Sequence, residues 1–104
     1  MKYQLSTAAG DDIDAAALYI AGNSPQAGAK FYDAVERTID DICEHPRRGA
    51  RFESSRPELA ALRKIAVRGF PNHLIFYRID GQIILIVRVI HGARDLPAIF
   101  HEDD

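Results

Sequence analysis

The sequence predicts an α+β domain: an N-terminal strand, a helical hairpin, then a three-stranded antiparallel segment that completes a small sheet. Three observations support that class. Apolar residues recur at helical spacing through 8–21 and 25–45, two stretches separated only by Gly22-Asn23-Ser24. Two runs rich in β-branched and aromatic residues flank Asp80-Gly81, a pair that favours tight hairpins. Between these halves, residues 46–58 have no period and are rich in proline, glycine and arginine, so they read as a connecting loop. With 104 residues the chain is expected to form one domain, 1–104, around a single modest core.

The first strand is Tyr3-Gln4-Leu5, short and alternating, and Ser6-Thr7 behind it supplies a helix cap. The helix that follows, over 8–21, carries a stripe of Ala9, Ile13, Ala16 or Ala17, and Ile20. Asp11, Asp12 and Asp14 fall near its positive end, where the dipole favours carboxylates; they read as a solvated first turn, since no complementary ligand set follows to make a metal site. Ser24 and Pro25 start the second helix as cap and first helical residue. Its stripe is Ala27, Phe31, Val35, Thr38 or Ile39, and Ile42, and Pro46 stops it at His45. Tyr19, Phe31 and Tyr32 are expected in the core, and the lone Cys43 is expected to be a small apolar group rather than a nucleophile.

Residues 62–67 alternate as a strand, which puts Arg63 and Lys64 on opposite faces. Residues 68–72 then turn the chain into the hairpin. With Asp80 and Gly81 as the loop, Ile79 faces Gln82, Tyr77 faces Ile84, Ile75 faces Ile86 and His73 faces Arg88. The helices are expected on the opposite face, that of Leu74, Phe76, Ile83, Leu85, Val87 and Val89, where Arg78 is the one charge. His73, Tyr77 and Arg88 are left to meet solvent or a partner. Beyond Asp95, the spacing of Leu96, Ile99 and Phe100 suits one or two helical turns.

Composition is that of an ordinary globular chain, 47% hydrophobic and 27% charged, and its single cysteine excludes an internal disulfide. A cytoplasmic setting is expected, since the N-terminus lacks an apolar signal core and no apolar run approaches the roughly 18 residues of a membrane span. The net charge of −2 conceals an asymmetry: residues 1–46 hold 3 basic and 8 acidic side chains, whereas residues 47–94 hold 10 basic and 3 acidic. A basic half of that density suggests an anionic partner, nucleic acid or an acidic protein segment, between which charge alone does not choose. No phosphate-binding loop, dinucleotide turn, paired-cysteine or zinc-helix motif and no nucleophile elbow is present, so no cofactor and no metal is expected. A ribonuclease needs a base, an acid and cations around one phosphate. His73 and Arg88, paired across the hairpin, with Arg63 or Lys64 from the neighbouring strand, are the candidates for those roles.

Residues 74–95 carry a family resemblance. The Leu-Ile-Phe-Tyr-Arg run at 74–78, a short turn, and Arg88-Val89-Ile90-His91-Gly92-Ala93-Arg94-Asp95 resemble the signature of the ParE/RelE toxins of type II toxin–antitoxin systems. Asp12-Ile13, Tyr19-Ile20, Glu44-His45-Pro46 through Gly49, and Leu62-Arg63 are similar to what that family shows elsewhere in the chain. The closing block looks nearer the ParE branch. That branch implies inhibition of DNA gyrase by binding, neutralised by a ParD-like antitoxin. Target-binding residues are then expected at Arg68, Arg88 and Arg94. A hydrophobic helical hairpin beside the basic half suits an acidic, amphipathic antitoxin segment that folds on binding, with Arg63, Lys64 and Arg78 as its cations. The RelE branch implies instead a ribosome-dependent messenger RNA endonuclease, for which His91 joins His73, Arg88, Arg63 and Lys64; only that alternative expects direct contact with nucleic acid. A third alternative is a non-toxic interaction module on the same fold.

Overall fold

The computed structural model describes residues 1–92. The chain runs β1 (Lys2–Leu5), α1 (Thr7–Ala21), α2 (Pro25–Glu44), β2 (Ala50–Arg51), α3 (Pro57–Ala60), β3 (Arg63–Val67), β4 (Phe70–Asp80) and β5 (Ile83–His91). One five-stranded sheet has the order β1-β5-β4-β3-β2. β1 lies parallel to β5, and every other pair is antiparallel. The predicted order of strand, helical hairpin and three antiparallel strands is present. Two elements add to it, since the connecting loop holds the two-residue β2 and the single turn of α3. The turns expected at Leu96, Ile99 and Phe100 lie outside the described residues.

Both long helices start where their caps predict. The Ser6 Oγ accepts from the Ala9 N–H at 2.9 Å, and the Ser24 Oγ accepts from the Ala27 N–H at 3.2 Å. α2 ends at Glu44, and His45, which precedes Pro46, has left the helical region at φ −134° and ψ 72°. Ala9, Ile13 and Ala17 of α1 and Phe31, Val35, Ile39 and Ile42 of α2 are buried against the sheet. Of the three aromatics expected inside, only Phe31 is there. Tyr19 is 76% exposed and Tyr32 donates its hydroxyl to Asp14 at the surface, because both fall outside the buried stripes of their helices.

The two helices meet at Gly28, where a Cβ atom would stand 2.6 Å from the Ala21 Cβ and 2.9 Å from the Ala17 carbonyl oxygen. Gly28→Ala is therefore expected to destabilise the fold by about 1–3 kcal/mol by overpacking. Urea denaturation measures it, and an unchanged midpoint would mean that the hairpin opens without cost.

The central hairpin differs from expectation in register and in face. Asp80 pairs with Ile83, so the two-residue loop is Gly81-Gln82, with Gly81 at φ +60° in the first loop position. Primed hairpin turns require positive φ there, and glycine adopts it without strain. Tyr77 consequently faces Ile86 and Ile79 faces Ile84. A bulge follows: Phe76 pairs with Arg88 while Tyr77 pairs with Ile86, which leaves Val87 as the extra residue. Beyond it His73 pairs with His91, not with Arg88.

Helices cover the face of Ile75, Tyr77, Ile84 and Ile86, which Val89 joins after the bulge. The opposite face was expected to meet them because it is equally apolar. It is apolar for another reason: Phe52, Leu59 and Leu62, from the connecting segment, fold over Phe76 and Ile90 as a second small core. Tyr77, expected toward solvent, is fully buried, with both hydrogen-bonding capacities of its hydroxyl satisfied.

Candidate functional site

The bulge in β5 is held by the start of α1. Ser6 donates its hydroxyl to the Val87 carbonyl at 2.7 Å, and Asp12 accepts from the Val89 N–H at 3.0 Å. Asp12 also takes two bonds from Arg88, Nε to Oδ2 at 2.7 Å and Nη2 to Oδ1 at 2.9 Å. This bidentate pair is largely desolvated, with side chains 24% and 12% exposed. The hydrogen bond that Arg88 donates to Asp12 raises the Arg88 pKa above the ordinary guanidinium value. Asp12 is thus not part of a solvated acidic turn. An arginine between apolar strand residues is itself a sign that a carboxylate must come to it, and that sign was legible at position 88.

Next to this pair, at the open end of the β4–β5 hairpin, the His73 and His91 rings stand edge to face with centroids 5.2 Å apart. His73 also packs edge-on against Phe31, again at 5.2 Å. A cleft of about 530 Å³ opens there between α1 and the strand ends, and Ala15, Ala16, Tyr19 and Val89 contribute its walls. Burial lowers the His73 pKa below its ordinary 6.5, and the proximity of His91 lowers it further.

The sign of the pH effect follows. The folded state binds a proton at His73 less readily than the unfolded chain, so this contribution to stability is complete above pH 6.5 and is lost as the pH falls through that value. The melting temperature is expected to drop between pH 7.5 and pH 5.5, and His73→Gln to flatten that slope. A profile equally steep in the variant would refer the acid sensitivity to other groups.

Behind α2 a third arrangement holds the segment Pro46–Gly49. The Tyr77 hydroxyl donates to the Pro46 carbonyl at 2.8 Å and accepts from the Gly49 N–H at 2.9 Å. Arg63 Nη1 donates to the Gly49 carbonyl at 2.9 Å and to the Arg47 carbonyl at 3.2 Å. A Cβ atom on Gly49 would lie 2.5 Å from the Tyr77 hydroxyl oxygen, so only glycine admits the tyrosine this closely.

The residues expected to form one catalytic set are therefore dispersed. His73 and His91 come together, Arg88 is engaged by Asp12, and Arg63 is turned to the Pro46–Gly49 segment. Lys64 pairs with Phe76, on the side of the sheet away from the helices. Arg78 alternates onto that same side. Arg68 occupies the turn between β3 and β4, where it pairs with Asp41 and its N–H donates to the buried Thr38 hydroxyl at 3.0 Å. Arg94 lies outside the described residues. Among the described residues no group of three or more histidine, cysteine, aspartate or glutamate side chains is placed to hold a metal. No described helix is long and apolar enough to cross a membrane.

Comparison with known proteins agrees with this architecture. A family model described as the ParE toxin of the type II toxin–antitoxin system parDE matches residues 3–96. The chain is 31% identical over 83 residues to Toxin RelE2 of Caulobacter vibrioides, an alignment spanning 80% of this chain and 85% of that protein. Among solved structures, a chain described as the chromosomal ParDE TA system from P. aeruginosa superposes with a TM-score of 0.69, at 20% identity, over 88% of this chain and 95% of the other. That last likeness is one of fold.

Proposed function

We propose that this chain, which belongs to the ParE toxin family of type II toxin–antitoxin systems, arrests growth by binding DNA gyrase, without hydrolytic chemistry of its own, until an antitoxin covers it. One observation carries the reading: Arg88, the cation that a sheet-borne ribonuclease would set against the scissile phosphate, is bonded twice to Asp12. Its charge is neutralised there, and His73, which faces His91, stands three strand positions from Phe76, the residue that faces Arg88. Action through a surface requires no convergence of acid, base and cation. Arg68 and Arg94 are then target contacts, and Lys64 and Arg78 antitoxin contacts. Arg88 supports the target surface from within, by holding the end of β5.

A second reading, cleavage of ribosome-bound message, draws on the His73–His91 pair and on the likeness to Toxin RelE2. A histidine kept neutral at pH 7 is suited to accept a proton.

Purified protein distinguishes the two. The expected result is inhibition of gyrase supercoiling, retained in His73→Ala and His91→Ala, with ribosome-bound message left intact. Removing a proton-transfer group usually lowers a rate by about 10²–10⁴-fold, so message cleavage that vanishes in either variant, with gyrase unaffected, would establish the second reading.

A further inference from the structure

Four residues, Pro46–Gly49, receive the hydroxyl of a fully buried tyrosine and the guanidinium of Arg63, as described above. The Arg48 N–H closes the turn onto the His45 carbonyl at 3.0 Å. The Tyr77 and Arg63 bonds tie the segment to β4 and β3. What the segment turns outward is Arg47 and Arg48, both exposed, at the mouth of an open cleft of about 650 Å³. Met1, Pro46 and Ile79 supply the apolar part of its lining, and Glu44 is the one carboxylate lining it among the described residues. Arg63 was expected to contact a partner directly; its two bonds to backbone carbonyls make it the strut of this segment instead.

We propose that this cleft is a docking site for an acidic segment of the antitoxin in which an apolar residue stands between carboxylates. The inference rests on membership of the toxin family and not on the identity of the target. The backbone that carries the two arginines is already fixed, so docking orders only their side chains, and arginine binds carboxylates in a bidentate fork. The apolar lining selects the class of partner. A phosphate backbone leaves Met1 and Ile79 uncovered, whereas a peptide places its apolar side chain on them and its acids on the arginines. Tyr77, Arg63 and Gly49 are positioning residues.

Two probes test it by fluorescence titration: the antitoxin encoded with this chain, and a labelled peptide Glu-Leu-Glu-Asp-Leu-Glu set against its Gln/Asn counterpart. The acidic peptide is expected to bind more tightly than the neutral one. The double variant Arg47→Ala/Arg48→Ala should weaken both the acidic peptide and the antitoxin at least tenfold, with an unchanged melting temperature and undiminished toxicity. Arg37→Ala, an exposed arginine on α2, should change affinity by no more than about twofold. Tyr77→Phe should lower affinity with a smaller salt dependence change than the double arginine variant, since it loosens the segment without removing charge.

Antitoxin binding unchanged in the double variant would overturn the proposal. Loss of gyrase inhibition with antitoxin affinity intact would overturn it too, assigning the cleft to the target. Failure of the gyrase reading shows itself separately, as wild-type protein that binds antitoxin but leaves supercoiling untouched.

Discussion

Phe31→Ala is expected to destabilise the domain by about 3–5 kcal/mol, the range for truncating a buried aromatic. Phe31 has no exposed surface and sits where α2 crosses the sheet. Its ring meets Phe70 edge-on at 5.1 Å and His73 at 5.2 Å, so truncation opens a cavity between α2 and the start of β4, which carries both partners. Domains of this size have total stabilities of roughly 5–15 kcal/mol, so the variant should be partly unfolded at 37 °C. Leu18→Ala is the control, because Leu18 is 77% exposed on α1 and should cost within about 0.5 kcal/mol. Denaturant midpoints that coincide for the two would show that α2 does not carry the core.

Asp12→Ala is the second large effect, expected at about 3 kcal/mol, near the lower end for breaking a buried ion pair. Three donors lose their acceptor at once: the Arg88 Nε and Nη2 groups and the Val89 N–H. Arg88 keeps its charge in a half-buried position, and the bulge loses one of its two ties to α1. Most of that penalty comes from the charge left behind, so Asp12→Ala/Arg88→Met should recover more than half of it. A double variant no more stable than Asp12→Ala would mean that the Val89 bond, and not the ion pair, carries the effect. Gyrase inhibition measured on the double variant then reports whether Arg88 supports the target surface only through the fold.

How legible this was in the sequence depended on the range of the interactions. Ser6, Ser24 and Pro46 act within a few residues of the helix ends they define, and the two helices run between them as read. The buried stripe of α2 likewise follows from spacing alone. Gly81 marked the hairpin but not its loop, since Asp80-Gly81 and Gly81-Gln82 each put glycine where positive φ is needed. The extra residue at Val87 left no local trace, because a bulge stabilised by Ser6 and Asp12 depends on residues at the other end of the chain.

Which face met the helices was undecidable from apolarity when both faces are covered, although Phe52, Leu59 and Leu62 in a breaker-rich segment were a sign that it folds inward. Of the candidate site, the histidines were found but paired wrongly. The Tyr77, Arg63 and Gly49 contacts were missed, since a tyrosine in a strand gives no indication of which backbone its hydroxyl reaches.

The position of β5 between β1 and β4 bears on how the protein comes into being. Synthesis delivers β1 first and β5 last among the described strands, yet within that set β1 pairs with β5 alone. Until residues 83–91 emerge, the first strand lacks its β5 partner, the β4 edge that β5 covers is open, and the Asp12 carboxylate lacks Arg88. Contacts joining such distant segments close slowly, because the intervening chain must be ordered before they contribute. A chain that stops before Ile83 therefore leaves β1 and one edge of β4 without their β5 partner, and it is expected to melt without a cooperative transition.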